Sequence, residues 1–154
     1  MNIAIGADHN GFILKNNIII PWLQSKGHEV IDSGAYEHNA EDDYPDFAHN
    51  VATAISENKA DKGIVICGSG VGASITANKV HGIRAAICHD TYSAKQGVEH
   101  DDMNVICIGS RIVGEQIILD ILDLFIEASF SAHEPRFVRR LNKVLNIEQQ
   151  NLQG

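Results

Sequence analysis

The densest group of residues that could do chemistry is the segment CGSGVGAS, which begins at Cys67. The glycines at 68, 70 and 72 let backbone amides approach a ligand closely, and the helix expected next adds positive charge at its N-terminus. This combination favours a bound anion, either a phosphate or an enediolate. It also favours the thiolate of Cys67, the form that acts as a general base at neutral pH.

Two other interpretations of this loop remain open. The stretch GSGVGA fits a loose GxGxxA dinucleotide-binding fingerprint, with Asp90 about 20 residues further on. It also fits a plain tight turn in which Cys67 is a buried packing residue. Such a fingerprint normally follows the first strand of a domain, whereas here it follows the third. The loop therefore favours a ligand-binding turn over a plain turn, and a plain turn over a dinucleotide site.

Three further candidates flank other predicted strands. Asp8 and His9 follow the first strand, where they could orient hydroxyls or bind an anion, although Asp8 could equally cap the next helix. Arg111 follows the fifth strand. His100, just before that strand, is suited to acid–base chemistry near neutral pH. A lone surface histidine is the commoner case, and this chain has 8 histidines.

The last predicted helix carries a group of arginines. Arg136 and Arg140 are four residues apart and share a helix face, so they could grip one phosphate through forked donors. A solvated basic face is the alternative. The acidic run 41–43 is interpreted as a solvated loop. The chain has no HExxH or CxxC motif and no carboxylate cage, so no metal site is predicted.

The elements that must position these residues alternate between β-branched runs and amphipathic stretches, a pattern typical of βαβ units. Strands are expected at 3–6, 29–32, 63–67, 84–88 and 105–108. Helices are expected at 11–26 with a kink or restart at Pro21, from Pro45 onward, and at 73–79, 92–98, 114–130 and 136–149. The prediction is a three-layer α/β/α sandwich around a five-stranded parallel sheet, flavodoxin-like or Rossmann-like. Ligands bind beyond the carboxyl ends of such strands.

Size and composition restrict the class of protein. The 154 residues suit a single domain, 1–150, with a polar C-terminal tail at 151–154. A net charge of −8 argues against nucleic acid or an acidic membrane surface as partner. No apolar run reaches the ~18 residues of a membrane span, and the start lacks signal-peptide features, so a cytoplasmic location is expected. The three cysteines lie in separate strand-like runs and predict no disulfide framework.

Taken together, six segments resemble ribose-5-phosphate isomerase B and its sugar-phosphate isomerase relatives. They are IAIGADHNGFILK, DDYPDFA, GIVICGSGVGASITANK, GIRAAICHD, EHDDMNVICIGSR and RFVRRLNKV, in order from residue 3 to about 145. The resemblance implies a homodimer, with a tetramer as the alternative, and active sites built across the subunit interface. It implies a cofactor-free and metal-free interconversion of ribose 5-phosphate and ribulose 5-phosphate through a cis-enediolate, in the pentose phosphate pathway.

The resemblance also implies individual roles. Cys67 matches the cysteine that moves a proton between C1 and C2, Ser69 helps polarise the substrate oxygen, and His100 helps to open the sugar ring. The remaining matches are substrate-binding positions: Asp8, His9, Tyr44, Gly68, Gly70, Val71, Gly72, Asp101, Arg111, Arg136 and Arg140. Asp101 stands where many relatives have an asparagine that contacts substrate.

Other functions stay open at this point. Relatives of this kind also act on six-carbon sugar 6-phosphates of the allose or galactose type. A nucleotide-binding, flavodoxin-like module and a non-catalytic sugar-phosphate binder are the alternatives from other classes. A binder has no need of a thiol at the start of a helix, and this favours the enzyme.

Overall fold

A five-stranded parallel sheet forms the centre of the molecule. The computed structural model describes residues 1–154. The strands are β1 (Asn2–Ala7), β2 (Glu29–Asp32), β3 (Lys62–Cys67), β4 (Ala85–Ile87) and β5 (Val105–Gly109). They lie side by side in the order β2-β1-β3-β5-β4, and every neighbouring pair is parallel. The predicted fold class is confirmed.

Six helices accompany the sheet; the first four connect successive strands, and the last two follow β5. The first, α1, begins with π-helical turns over Leu14–Ile19 and continues as an α-helix over Ile20–Ser25. Pro21 lies in the first turn of the second part, where its missing N–H is tolerated, so the expected restart appears as a change of helix type. The others are α2 (Tyr44–Ser56), α3 (Val71–Ala77), α4 (Thr91–Asp101), α5 (Glu115–Glu127) and α6 (Pro135–Gln153).

The strands are apolar on both faces because each face is covered by helices. Residues such as Ile5, Ile64 and Ile106 belong to one core cluster with α1, α4 and α5. Their neighbours in sequence, such as Val65 and Val105, belong to a second cluster with α2 and α3. The alternation of side chains along each strand therefore supplies two cores rather than one core and one wet face.

The strand order opens crevices on both sides of β3. It differs from the flavodoxin order 2-1-3-4-5 by exchange of the last two strands, so β5 rather than β4 lies next to β3. From the carboxyl edge, α1 and α5 leave toward one core and α3 leaves toward the other. Ligands bind where adjacent connections diverge in this way. The fold thus places the end of β3, and with it Cys67, at the expected binding edge.

The last helix extends beyond the sequence prediction. α6 runs to Gln153, so within the polar segment 151–154 only Gly154 lies outside it. Good helix formers continue to Gln153, and glycine is a common helix terminator. α6 contains no buried residue, although it carries apolar side chains. None of the helices is both long and apolar enough to cross a membrane.

Candidate active site

Cys67 ends β3 and lies almost fully buried, with 4% of its surface exposed. Its Sγ accepts a hydrogen bond from the backbone N–H of Gly70 at 3.1 Å. Gly70 has φ +83°, and a Cβ at this position would lie 3.3 Å from the backbone N of Gly109. Glycine is therefore required for the turn that aims this amide at the sulfur. A donor held in place here stabilises negative charge on Sγ.

The rest of the loop is open to solvent on one side and closed by an aromatic ring on the other. Ser69 is exposed, and its Oγ accepts from the N–H of Val71, the first residue of α3, at 3.3 Å. Gly72 lies against the ring of Tyr44, because a Cβ there would come within 2.5 Å of ring atoms. The ring of Tyr44 thus forms one wall of the glycine loop.

The end of β5 is tied to the same loop. The N–H of Ser110 donates to the carbonyl of Cys67 at 2.8 Å, and the N–H of Arg111 donates to the carbonyl of Gly68 at 3.1 Å. The hydroxyl of Ser110 donates to the carbonyl of Asn10 at 2.9 Å, which joins the end of β1 as well. The side chain of Arg111 forms no ion pair in the chain, so its charge is available to an anion beside the loop.

The end of β1 contributes Asp8 and His9. Asp8 is 5% exposed, and its Oδ1 accepts from the N–H of Asn10 at 2.9 Å. His9 Nδ1 lies 2.7 Å from Oδ1 of Asp42, and the same oxygen accepts the backbone N–H of His9 at 3.0 Å. The hydrogen bond to Asp42 raises the pKa of His9, partial burial opposes this, and the nearby carboxylate of Asp8 adds to it.

The interpretation of residues 41–43 as a solvated loop is wrong for Asp42. Its side chain is only 8% exposed because a turn at Asn39 folds the loop back onto the end of β1. The N–H of Asp42 donates to the carbonyl of Asn39 at 3.1 Å, and the N–H of Glu41 donates to its side chain at 3.0 Å. Asparagine as a turn residue was the one local signal of this reversal.

The structure thus brings together one part of the predicted site, which we call the carboxyl-edge cluster. It consists of the β1 end, the glycine loop with its tyrosine wall, and the β5 end: Asp8, His9, Tyr44, Cys67–Gly72 and Arg111. One potential metal-ligating atom each from Asp8, His9 and Asp42 lie within 4.8 Å of one another. The sequence analysis did not predict this group as a metal site. Oδ1 of Asp42 already accepts a hydrogen bond from Nδ1 of His9.

His100 and Asp101 lie elsewhere, at the C-terminal end of α4. α4 follows β4 and runs back toward the amino edge of the sheet over 11 residues, a length of ~16 Å. The next residue, Asp102, accepts from Arg84 through Oδ2 at 2.8 Å and through its carbonyl at 2.6 Å. Because Arg84 immediately precedes β4, this end of α4 lies at the edge opposite Cys67.

The two predicted α6 arginines lie close to His100 rather than to Cys67. Phe137 of α6 stacks on the ring of His100, with centroids 3.9 Å apart and an interplanar angle of 24°. Arg136 and Arg140 flank Phe137 in the first turns of α6. Both are exposed, and neither forms an ion pair in the chain. We call His100, Asp101, Arg136 and Arg140 the α4–α6 cluster.

The remaining cysteines have no place in either cluster. Burial raises the pKa of the Cys88 thiol to about 11 and raises that of Cys107 further. Both are free, buried thiols. Cys88 directly follows the last residue of β4, and Asp90 caps α4, since Asp90 Oδ1 accepts the N–H of Ser93 at 2.6 Å.

Comparison with known proteins finds relatives of this chain in both sequence and fold. The family described as Ribose/Galactose Isomerase matches residues 3–144. Ribose-5-phosphate isomerase B of Escherichia coli is 44% identical over 147 residues, 96% of each chain. Galactose-6-phosphate isomerase subunit LacB of Clostridium acetobutylicum is 43% identical over 130 residues, 84% of this chain and 74% of that one. A crystal structure of ribose-5-phosphate isomerase B from Mycoplasma genitalium with bound ribulose-5-phosphate superposes with TM-score 0.90, 41% identity and 96% coverage of each chain.

Proposed function

The chain belongs to the ribose/galactose isomerase family and is a sugar-phosphate isomerase, and we propose that it interconverts ribose 5-phosphate and ribulose 5-phosphate. The observation that carries this proposal is the sulfur of Cys67, buried at the ligand-binding edge and facing the amide of Gly70 at 3.1 Å. The names of the relatives supply the reaction class and the pentose phosphate.

In the proposed reaction Cys67 moves one proton between adjacent carbons. The thiolate removes the proton from C2 of the open-chain aldose, and the electrons of that C–H bond form the C1–C2 double bond of a cis-enediolate. The loop amides and the hydroxyl of Ser69 stabilise the oxyanion; one such donor is usually worth ~3 kcal/mol of barrier. A proton then passes from O2 to O1, and the thiol returns its proton to C1, which gives the ketose with its carbonyl at C2 and restores the thiolate.

We further propose that a complete site needs two copies of the chain. His100, proposed to open the furanose ring, and the phosphate-binding Arg136 and Arg140 belong to the α4–α6 cluster, away from Cys67 of the same chain. A second copy that lays its α4–α6 cluster over the carboxyl edge of the first would join them to Cys67 and Arg111. A C2 dimer forms two such sites at once.

The surface beside the glycine loop supports this dimer. Val71 and Ile75 lie four residues apart on α3 and are 50% and 59% exposed. On α6, Ile147 and Leu152 are each 59% exposed. Val71 and Ile75 lie beside the glycine loop, and exposed apolar side chains next to an incomplete site are the kind of surface that a second copy would cover.

A six-carbon substrate is the second candidate, because the galactose-6-phosphate isomerase subunit is nearly as similar as the pentose enzyme. The test is an isomerase assay of ribose 5-phosphate, allose 6-phosphate and galactose 6-phosphate side by side, with EDTA present. We expect the largest kcat/KM on ribose 5-phosphate and no effect of EDTA. Turnover of a hexose 6-phosphate alone would replace the pentose assignment. A saturable rise in melting temperature with NAD or FMN, without isomerisation of any of these sugar phosphates, would overturn the assignment as an isomerase.

A further inference from the structure

Asp42 is joined to His9 by two hydrogen bonds. Its Oδ1 receives both Nδ1 of the ring, at 2.7 Å, and the backbone N–H of the same residue, at 3.0 Å. A carboxylate only accepts, so Nδ1 of His9 carries a proton. The ring orientation and its tautomer are therefore both fixed by Asp42, as the buried aspartate does for the histidine of a catalytic triad.

The charges around the ring favour its cationic form. Asp42 Oδ2 is buried and has no hydrogen-bond partner, so its charge is balanced by little other than His9. Asp8, 5% exposed, faces the ring from the end of β1. Arg111, from the end of β5, acts in the opposite direction. Two carboxylates against one guanidinium leave the imidazolium favoured, and the raised pKa of His9 agrees with this balance.

The other ring nitrogen remains available to a ligand. Nε2 of His9 makes no hydrogen bond within the chain, and the side chain is 31% exposed. Arg111, close enough to affect His9 electrostatically, has no ionic partner in the chain either. Nε2 of His9 and the guanidinium of Arg111 are therefore two donor groups without a partner in the chain, close enough to interact electrostatically, and such a pair suits the anionic end of a substrate.

We propose that Asp42 is a positioning residue that fixes the Nδ1 proton of His9, keeps the ring cationic, and so presents Nε2–H to the phosphate of the substrate. This inference rests on the proposed sugar-phosphate function for its ligand, and it concerns Asp42, a residue of the segment DDYPDFA to which the resemblance assigns no role. A purely structural tie between the 39–43 loop and β1 is the competing explanation.

The first test measures His9 directly and needs no activity. The imidazole of His9 is titrated by NMR in the full-length protein, with the signal assigned by its loss in His9→Gln. Asp42→Asn keeps the size of the side chain and an oxygen acceptor but removes the charge. We expect the pKa of His9 to fall by about one unit in Asp42→Asn. Glu41→Gln, an exposed change of the same charge one residue away, should leave it unaltered.

Inorganic phosphate is the probe of binding in the same experiment. In the wild-type protein, phosphate should shift the His9 signal and raise its pKa further, because the anion stabilises the cation. In Asp42→Asn the dissociation constant for phosphate should rise ~10-fold at pH 7.5, because a smaller fraction of the His9 ring is protonated when its pKa is lower. An unchanged pKa of His9 in Asp42→Asn would overturn the proposal, whether or not the chain isomerises ribose 5-phosphate.

Kinetics separate positioning from structure. With Asp42→Asn we expect KM to rise ~10-fold and kcat to change less than about twofold, since the proton transfer at Cys67 is untouched. The binding-competent form is the protonated ring, so affinity falls as pH rises through the pKa of His9. The alkaline limb of kcat/KM should therefore move to lower pH by about one unit in Asp42→Asn. Asp42→Glu, which restores the charge, should recover the wild-type profile.

A structural role gives a different pattern. A loss of thermal stability with kcat and KM both altered, and with an alkaline limb at its original pH, would contradict the proposal. If Asp42→Glu and Asp42→Asn gave the same pH profile, charge would have no part in the effect, and that too would contradict it.

Discussion

The two clusters that carry the predicted site residues are built in different ways. In the carboxyl-edge cluster, Cys67 and Asp8 are buried and every loop in it is tied by backbone hydrogen bonds. In the α4–α6 cluster, Arg136 and Arg140 are exposed, and His100 is held by one stacking contact and one hydrogen bond from Gln96 at 3.0 Å. One cluster is organised within the chain, whereas the other presents unpaired groups outward.

The difference indicates where each chemical task resides. Proton transfer between adjacent carbons needs a base and oxyanion donors already in place, because reorganisation during the reaction costs rate. A single chain can hold the base and the oxyanion donors in place without a partner, because they lie at the rigid end of β3. Our proposal assigns ring opening, and the part of phosphate binding that Arg136 and Arg140 supply, to groups that reach the site only when a second copy docks, so assembly and activity are coupled.

The largest expected effect lies in the carboxyl-edge cluster. Cys67→Ala should lower kcat by ~10³-fold or more, because it removes the base while leaving the loop fold. Cys88→Ala removes a buried thiol whose pKa is raised to about 11 and should leave kcat within about twofold, with a loss of stability. The measurement is steady-state isomerisation with circular dichroism as a folding check. Near-normal turnover by Cys67→Ala would contradict the assignment of the base.

Removing charge from the α4–α6 cluster should have the next largest effect. Arg136→Ala with Arg140→Ala should lower kcat/KM by ~10²-fold, mainly through KM, since charged hydrogen bonds to phosphate are lost. Arg139→Ala, a neighbouring exposed arginine of the same helix to which we assign no substrate contact, is the matched control. If Arg139→Ala lowers kcat/KM as much as the double variant does, the arginines act only through their contribution to the overall charge.

The smallest predicted effect concerns the surface proposed to join the two clusters. Ile75→Asp places a charge on the exposed apolar face of α3 and should weaken the dimer, so that activity at nanomolar protein falls ~10-fold and recovers at higher concentration. Ile117→Asp, 49% exposed on the opposite face of the sheet, tests whether that face is used instead. Analytical ultracentrifugation gives the dissociation constants. Dissociation by Ile117→Asp alone would move the proposed interface to α5.

The sequence predicted most of the fold because its signals are local. Apolar runs of strand length and the amphipathic stretch behind Pro45 appear where the structure has β3, β5 and α2. The order of β4 and β5 in the sheet could not be predicted from the sequence, since it depends on which face of the sheet α4 covers. The end of α6 was placed four residues early because a polar helix on the surface resembles a tail.

The site was predicted unevenly for similar reasons. Cys67 and the glycines after it were predicted because a turn with positive φ requires glycine, and this requirement is visible in the sequence. Asp42 was missed because a carboxylate in an acidic run looks solvated until a turn folds it onto His9. The sequence motifs also gave no indication that His100 lies far from Cys67 within one chain. It arises from the direction of α4, which only the arrangement of the strands determines.

The most direct test of the account is complementation between inactive variants. Cys67→Ala and the Arg136→Ala/Arg140→Ala double variant are purified separately, mixed, dissociated and allowed to re-form dimers. In each mixed dimer one site carries both defects and the other carries none, so random reassortment should restore about a quarter of wild-type activity. Activity no greater than the sum of the two variants alone, with mixed dimers confirmed by mass spectrometry, would contradict a site shared between two chains.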